Sequence, residues 1–175
     1  MKEISFRTDV LPLKDELFRL ALRITLNRAD AEDVVQETML KVWNRRDRWA
    51  ELESIEAFCL TICRNLALDK LKRADNQNTS LGDEEGGGEE PADRSYAANP
   101  EEQAVQRDRV EQVRRLISQL PEKQRTCMQL RDIEGKAYKE IASVLAITEQ
   151  QVKVNIFRAR QTIKEKFQQL EQHGL

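Results

Sequence analysis

In a chain of 175 residues, 34% charged and 39% hydrophobic side chains can fill small helical cores but not one large interior spanning the whole chain. No run approaches the roughly 18 apolar residues of a membrane helix, and the start MKEISFRTDV lacks the apolar stretch of a signal peptide. Those features predict a soluble, cytoplasmic protein without membrane insertion, and the odd set Cys59, Cys63 and Cys127 fits reduced thiols in a reducing compartment.

The net charge of -2 hides an uneven distribution. Residues 1–74 carry 14 basic and 13 acidic side chains, residues 75–106 carry 1 and 9, and residues 107–175 carry 14 and 9. Two neutral-to-basic blocks therefore flank an acidic middle. Nothing alternates with a period of two, so the fold class is all-α, as two small helical domains, 1–74 and 105–175, joined by an acidic linker over 75–104.

In chain order, Leu13, Leu17, Leu20, Ala21 and Ile24 recur at helical spacing. After a break at Asn27–Asp30 the pattern resumes with Ala31, Val35, Met39 and Val42. The stretch DAEDVVQE over 30–37 places Asp30, Asp33 and Glu37 on one helix face, either as a solvated surface or as a docking face for a basic partner. Ser54 has the character of an N-cap, followed by the stripe Phe58, Ile62 and Leu66. Over 62–73, Arg64, Lys70, Lys72 and Arg73 outweigh Asp69, with Trp43, Trp49 and Phe58 nearby in sequence. Basic groups interleaved with aromatics suit single-stranded nucleic acid, although tryptophans in small bundles are mostly core. Residues 76–93 hold four of the six glycines and almost no apolar side chains, so they cannot offset their backbone entropy and are expected to be disordered. A coil of about 30 residues has a typical span of roughly 30 Å. The two blocks are thereby expected to be free to sit far apart on a long ligand.

The second block begins with Val110, Val113, Ile117 and Leu120 on one face, stopped by Pro121. A short helix over about 122–132 and a turn at Gly135 follow. The segment from Tyr138 to Arg160 has the order of a helix-turn-helix. Ile141, Ala142 and Leu145 point inward on its first helix, with Ala142 small enough for a close crossing. Thr148 and Gln151 form a capping-box pair for the second, whose Val152 and Ile156 face the core. Glu149, Gln150, Gln151, Lys153, Val154, Asn155 and Arg158 are left outward, where amides suit adenine and Lys or Arg suit guanine or phosphate. Arg125, Tyr138 and Lys139 are candidates for fixing register on phosphates. An amphipathic helical hairpin with a basic surface is the plainer reading. Ala146 occupies a turn position that often carries glycine.

Catalytic chemistry finds no foothold. Gly86-Gly87-Gly88 is followed by Glu-Glu-Pro rather than the lysine of a phosphate-binding loop, and His173 near the end offers no positioned base. Cys59 and Cys63 alone make a poor zinc site. No catalytic residue, metal site, cofactor or small-molecule substrate is expected.

Taken in order, DAEDVVQE…LKVW, AFCLTICRNLALDKLKR and LPEKQR…YKEIASVLAITEQQVKVNIFRARQTIK resemble a bacterial extracytoplasmic-function (ECF) RNA polymerase sigma factor of the sigma-70 class. The first two runs resemble sigma region 2 and the third region 4, over about residues 10–74 and 105–168. Phe58 stands where many members carry tryptophan, and Val154 where a small hydroxyl is frequent. The resemblance implies core polymerase as a partner, gripped by Glu32, Asp33, Val35, Gln36, Glu37, Leu40 and Trp43. It implies promoter DNA as a second partner. The single-stranded minus-10 element would lie along Arg64, Asn65, Asp69, Lys72 and Arg73, with a flipped base near residues 45–54. The duplex minus-35 element would be read by the outward residues of the C-terminal unit. An anti-sigma factor is a further partner that such a family allows. An ordinary helix-turn-helix regulator and a helical adaptor remain the competing readings; a gel shift with and without core enzyme separates them.

Overall fold

The computed structural model describes residues 3–78 and 100–173, and every regular element among them is helical. A π-helical turn at Phe6–Val10 and a 3-10 turn at Leu11–Leu13 lead into α1, Lys14–Thr25. Leu26 ends α1 in the left-handed region with φ 57°, its N–H donating to the Leu22 carbonyl at 2.8 Å. Asn27 then caps α2, Arg28–Asn44, by accepting from the Asp30 N–H at 3.0 Å. A 3-10 turn at Arg46–Glu51 tucks Trp49 inward, where its indole N–H donates to the Val42 carbonyl at 3.1 Å. Ser54 accepts from the Ala57 N–H at 3.1 Å and opens α3, Ile55–Asn78. Leu17, Leu20 and Ile24 of α1, Val34 and Val42 of α2 and Leu60 of α3 close the three-helix bundle, all at 1% exposure or less.

The second half comprises α4 (Pro100–Ser118), α5 (Glu122–Met128), a π-helical turn (Gln129–Ile133), α6 (Tyr138–Leu145) and α7 (Glu149–Gln172). Gly135 turns the chain at φ 69°, a conformation that favours glycine. Ala146 also sits in the left-handed region, at φ 55°. The turn thus keeps its geometry although alanine carries a Cβ penalty there. Both halves of the predicted capping box are made: the Gln151 N–H donates to Thr148 Oγ1 at 3.1 Å, and the Thr148 N–H donates to Gln151 Oε1 at 2.9 Å.

Two expectations change. Helix continues through residues 75–78 and begins again at Pro100, so both edges of the expected linker are helical; the rest of that linker lies outside the described residues. Proline suits a first helical position because no N–H is needed there. More consequentially, the two helical domains pack against one another. Cys127, Leu130, Ile141, Val144, Leu145 and Val152 belong to the same buried cluster as the α1–α3 core, and α6 packs on α3 while α5 packs on α1. A smaller cluster of Ile117, Leu120, Met128 and Ala159 lies beneath α4 and α7. Helical units of about 70 residues bury too little surface to be strongly stable alone. Sharing a core raises the buried fraction of both.

Cys59, Cys63 and Cys127 are free and buried. Loss of hydration pushes the first two thiols up to about 12 and Cys127 up to about 11. Their ionisation is therefore easier in the unfolded chain. The stability this protects is complete below about pH 8.5 and is lost as pH rises through 11 to 12. Urea unfolding between pH 9 and 11 should show a steeper loss for the wild type than for Cys63→Ala, by roughly 1 kcal/mol per pH unit. Equal slopes would contradict it.

Candidate nucleic-acid and polymerase interface

Three surfaces carry the sequence candidates. On α2, Glu32, Asp33, Gln36 and Glu37 are exposed, and beyond them Leu40 and Trp43 present apolar side chains at 62% and 44% exposure. Trp43 is held edge-on by Phe6 and Trp49, with ring centroids 5.5 and 6.3 Å away, and the Arg46 guanidinium lies 4.5 Å from its ring. Such a fixed, half-exposed tryptophan beside an acidic face is an anchor of the kind that dominates protein interfaces. Val35 is not part of it: at 4% exposure it points into the bundle with Val34 and Ala31. A valine within an acidic run is drawn inward by the helical stripe on the opposite side.

On α3, Asn65, Asp69 and Lys72 follow at i, i+4 and i+7 and form one exposed face, with Arg73 also exposed at its margin. Arg64 lies on the other side of the helix at 8% exposure. Its Nε and Nη2 donate to the two carboxylate oxygens of Glu122 at 3.1 and 3.0 Å. In this form the guanidinium faces α5, not solvent.

On α7, Glu149, Gln150, Lys153 and Arg158 are exposed, while Val154 and Asn155 are half-buried. Gln151 is engaged in the cap, and the Asn155 amide donates to the Gln151 carbonyl at 2.8 Å. Lys153 and Arg131 stack on the Tyr138 ring at 5.3 and 4.1 Å from its centre, so Tyr138 orders cations beside the helix start. Lys139 is exposed on α6. Arg125 is at 5% exposure and donates to the carbonyls of Ser118 and Leu120 at 2.9 and 3.2 Å and of Ile24 at 3.1 Å. Burial holds its guanidinium below the usual range. Its place is at the α4–α5 corner, where Pro121 supplies no N–H and the preceding carbonyls need donors.

Two further side chains join the α7 surface. Phe157, at 68% exposure, stands one turn beyond Lys153 on the outward side of α7. Lys123 of α5 closes a shallow hollow with Ile147, Gln150, Val154 and Arg158. Sequence reading passes over Phe157 because an aromatic is assigned inward by default; its phase, one residue after the buried Ile156, is the signal that it faces out. At the seam, Phe18 and Leu22 of α1 face Val110, Val113 and Ile117 of α4 across a groove of about 690 Å³. Among the described residues no cluster of His, Cys, Asp and Glu could hold a metal, and no helix is long and apolar enough to cross a membrane.

The arrangement has counterparts. Residues 10–77 match the family Sigma-70 region 2, and residues 110–163 match Sigma-70, region 4. Over 153 residues the chain is 29% identical to the ECF RNA polymerase sigma factor SigE of Mycolicibacterium smegmatis, covering 86% of this chain and 57% of that protein. It is 29% identical over 166 residues to the RNA polymerase sigma-H factor of Pseudomonas aeruginosa, covering 92% and 85%. The fold resembles the sigma factor RpoE of Bartonella quintana, solved in complex with the anti-sigma factor NepR, with a TM-score of 0.75, 21% identity and coverage of 93% and 96%. Two ordered sigma regions on an all-helical fold, with a capped helix-turn-helix in the second, place this chain in the sigma-70 class of bacterial RNA polymerase sigma factors, within the extracytoplasmic-function group.

Proposed function

We propose that the chain binds core RNA polymerase and directs it to promoters, with α2 docking on the enzyme, α7 reading the duplex minus-35 element and the exposed α3 face following the single-stranded minus-10 element. The observation that carries this reading is the outward surface of α7: Gln150, Val154, Phe157 and Arg158 stand exposed or half-exposed on a helix whose start is fixed by a complete capping box. That row offers an amide, two apolar contacts for thymine methyl groups and a guanidinium, the mixture that a major groove distinguishes. Strand opening needs no nucleotide hydrolysis by this chain. Extruding a base costs a few kcal/mol, and base stacking on aromatic and basic groups is of the same size. Core polymerase and promoter DNA are the partners on this reading, and an anti-sigma factor is a third.

The test is reconstitution. Core polymerase lacking any specificity subunit, mixed with this chain and sheared DNA of the source genome, should start transcripts at defined positions, mapped by sequencing their 5′ ends. A stable shift of duplex DNA by the chain alone would favour a simple helix-turn-helix regulator. No association with core enzyme and no defined starts would leave a helical adaptor.

A further inference from the structure

The segment ahead of α1 reaches the far end of α2. Its π-helical turn, Phe6–Val10, is fixed at both ends. The Ser5 N–H donates to the Asp9 carboxylate at 2.8 Å, the Asp9 N–H donates to the Ser5 carbonyl at 2.8 Å, and Val10 is fully buried. The turn packs on α3, and half-buried Phe6 lies against the main core. Phe6 is thus placed by its own segment, and its ring meets the half-exposed Trp43 edge-on, at an interplanar angle of 77°. It also precedes the span that matches Sigma-70 region 2, which begins at residue 10.

The other neighbours of Trp43 are local. Trp49 and Arg46 belong to the turn that follows α2, and the exposed Arg46 donates through Nη1 to the Trp43 carbonyl at 3.1 Å. Both travel with the end of α2, whereas Phe6 ties that end to a separate part of the chain. An indole turns about two side-chain bonds, and one that docks in a single orientation loses affinity for every other it visits. Fixing it beforehand is worth roughly three- to tenfold in dissociation constant. An edge-to-face ring contact serves this because it contributes through orientation as well as through area. Leu40, three positions before Trp43 on the same exposed face, marks the side on which the indole must be presented.

We infer that Phe6 is a positioning residue for polymerase binding: it holds the Trp43 indole in the orientation that docks, and so makes the segment ahead of α1 part of the α2 anchor. The inference rests on the proposed function for its consequence, but the orientation of the indole is read without polymerase. The full chain labelled with 5-fluorotryptophan carries two fluorine probes, and Trp49→Phe assigns their resonances. In Phe6→Ala the Trp43 resonance should shift toward its position in urea and gain a larger solvent isotope effect. Phe6→Leu, which keeps most of the volume without a ring edge, should shift it the same way, and Phe6→Tyr should return it. Association with core enzyme should weaken about three- to tenfold in Phe6→Ala and Phe6→Leu and recover in Phe6→Tyr. In a Trp43→Ala background, Phe6→Ala should alter it by less than about twofold. An unmoved Trp43 resonance in a folded Phe6→Ala or Phe6→Leu chain, or a moved resonance with undiminished affinity, would overturn the inference. So would a full effect of Phe6→Ala in the Trp43→Ala background, which would put Phe6 itself against the enzyme. Should Phe6→Ala lose its helical circular dichroism, Phe6→Leu and Phe6→Tyr decide in the same way. If the wild type fails to bind core enzyme while Phe6→Ala moves the Trp43 resonance, the positioning of Trp43 stands and the proposed function falls.

Discussion

Leu40→Asp is expected to abolish useful association with core polymerase while leaving the fold intact. Leu40 is 62% exposed on α2 and lies outside the buried clusters, so an aspartate there meets mainly water in the free chain. At the proposed polymerase interface beside Trp43, the same carboxylate would be desolvated against an apolar seat. Truncating such centres typically costs 2 kcal/mol or more, so the dissociation constant should rise roughly 30-fold or beyond. Urea unfolding should stay within about 0.5 kcal/mol of wild type. Fluorescence titration against core enzyme measures the first quantity. Undiminished affinity would move the docking face away from this end of α2.

The second large effect is expected at Arg125. Arg125→Met removes a buried guanidinium that serves the carbonyls of Ser118, Leu120 and Ile24. Hydrogen bonds from charged donors are worth about 1.5–3 kcal/mol each, and partial relaxation will recover some of that. A loss of about 3 kcal/mol in urea unfolding is expected, read as a shift in midpoint at constant slope. The residue was a phosphate-contact candidate from its sequence neighbourhood, and the two roles separate cleanly. A DNA-contacting arginine would leave stability near wild type and weaken minus-35 duplex binding by the holoenzyme.

What was readable in the sequence was whatever depends on neighbours a few residues away. The apolar stripe of Leu17, Leu20, Ala21 and Ile24 has only one helical reading, and each of these side chains is buried. Thr148 and Gln151 are three positions apart, so their cap is a local event. Gly135 announces its turn by chemistry alone. Arg64, Arg125 and the pairing of α3 with α6 were not readable in this way. Charged side chains are placed at the surface by default, and their burial here depends on carboxylate and carbonyl partners 58 and 101 residues away. Phe157 failed in the opposite sense, as an aromatic turned outward. The length of the acidic linker left the two blocks free to sit apart, and nothing in the local sequence announced that the apolar faces of α5 and α6 find cover on α1 and α3.

That shared interior carries a liability for the cell. Parting the halves strips cover from Cys127, Leu130, Ile141 and Leu145. An extended chain away from its enzyme would thus carry freshly bared oily surface, the feature that quality-control proteases and self-association both act upon. On the proposed function, an extended chain would need its enzyme to cover that surface, and a released one would have to fold shut to hide it.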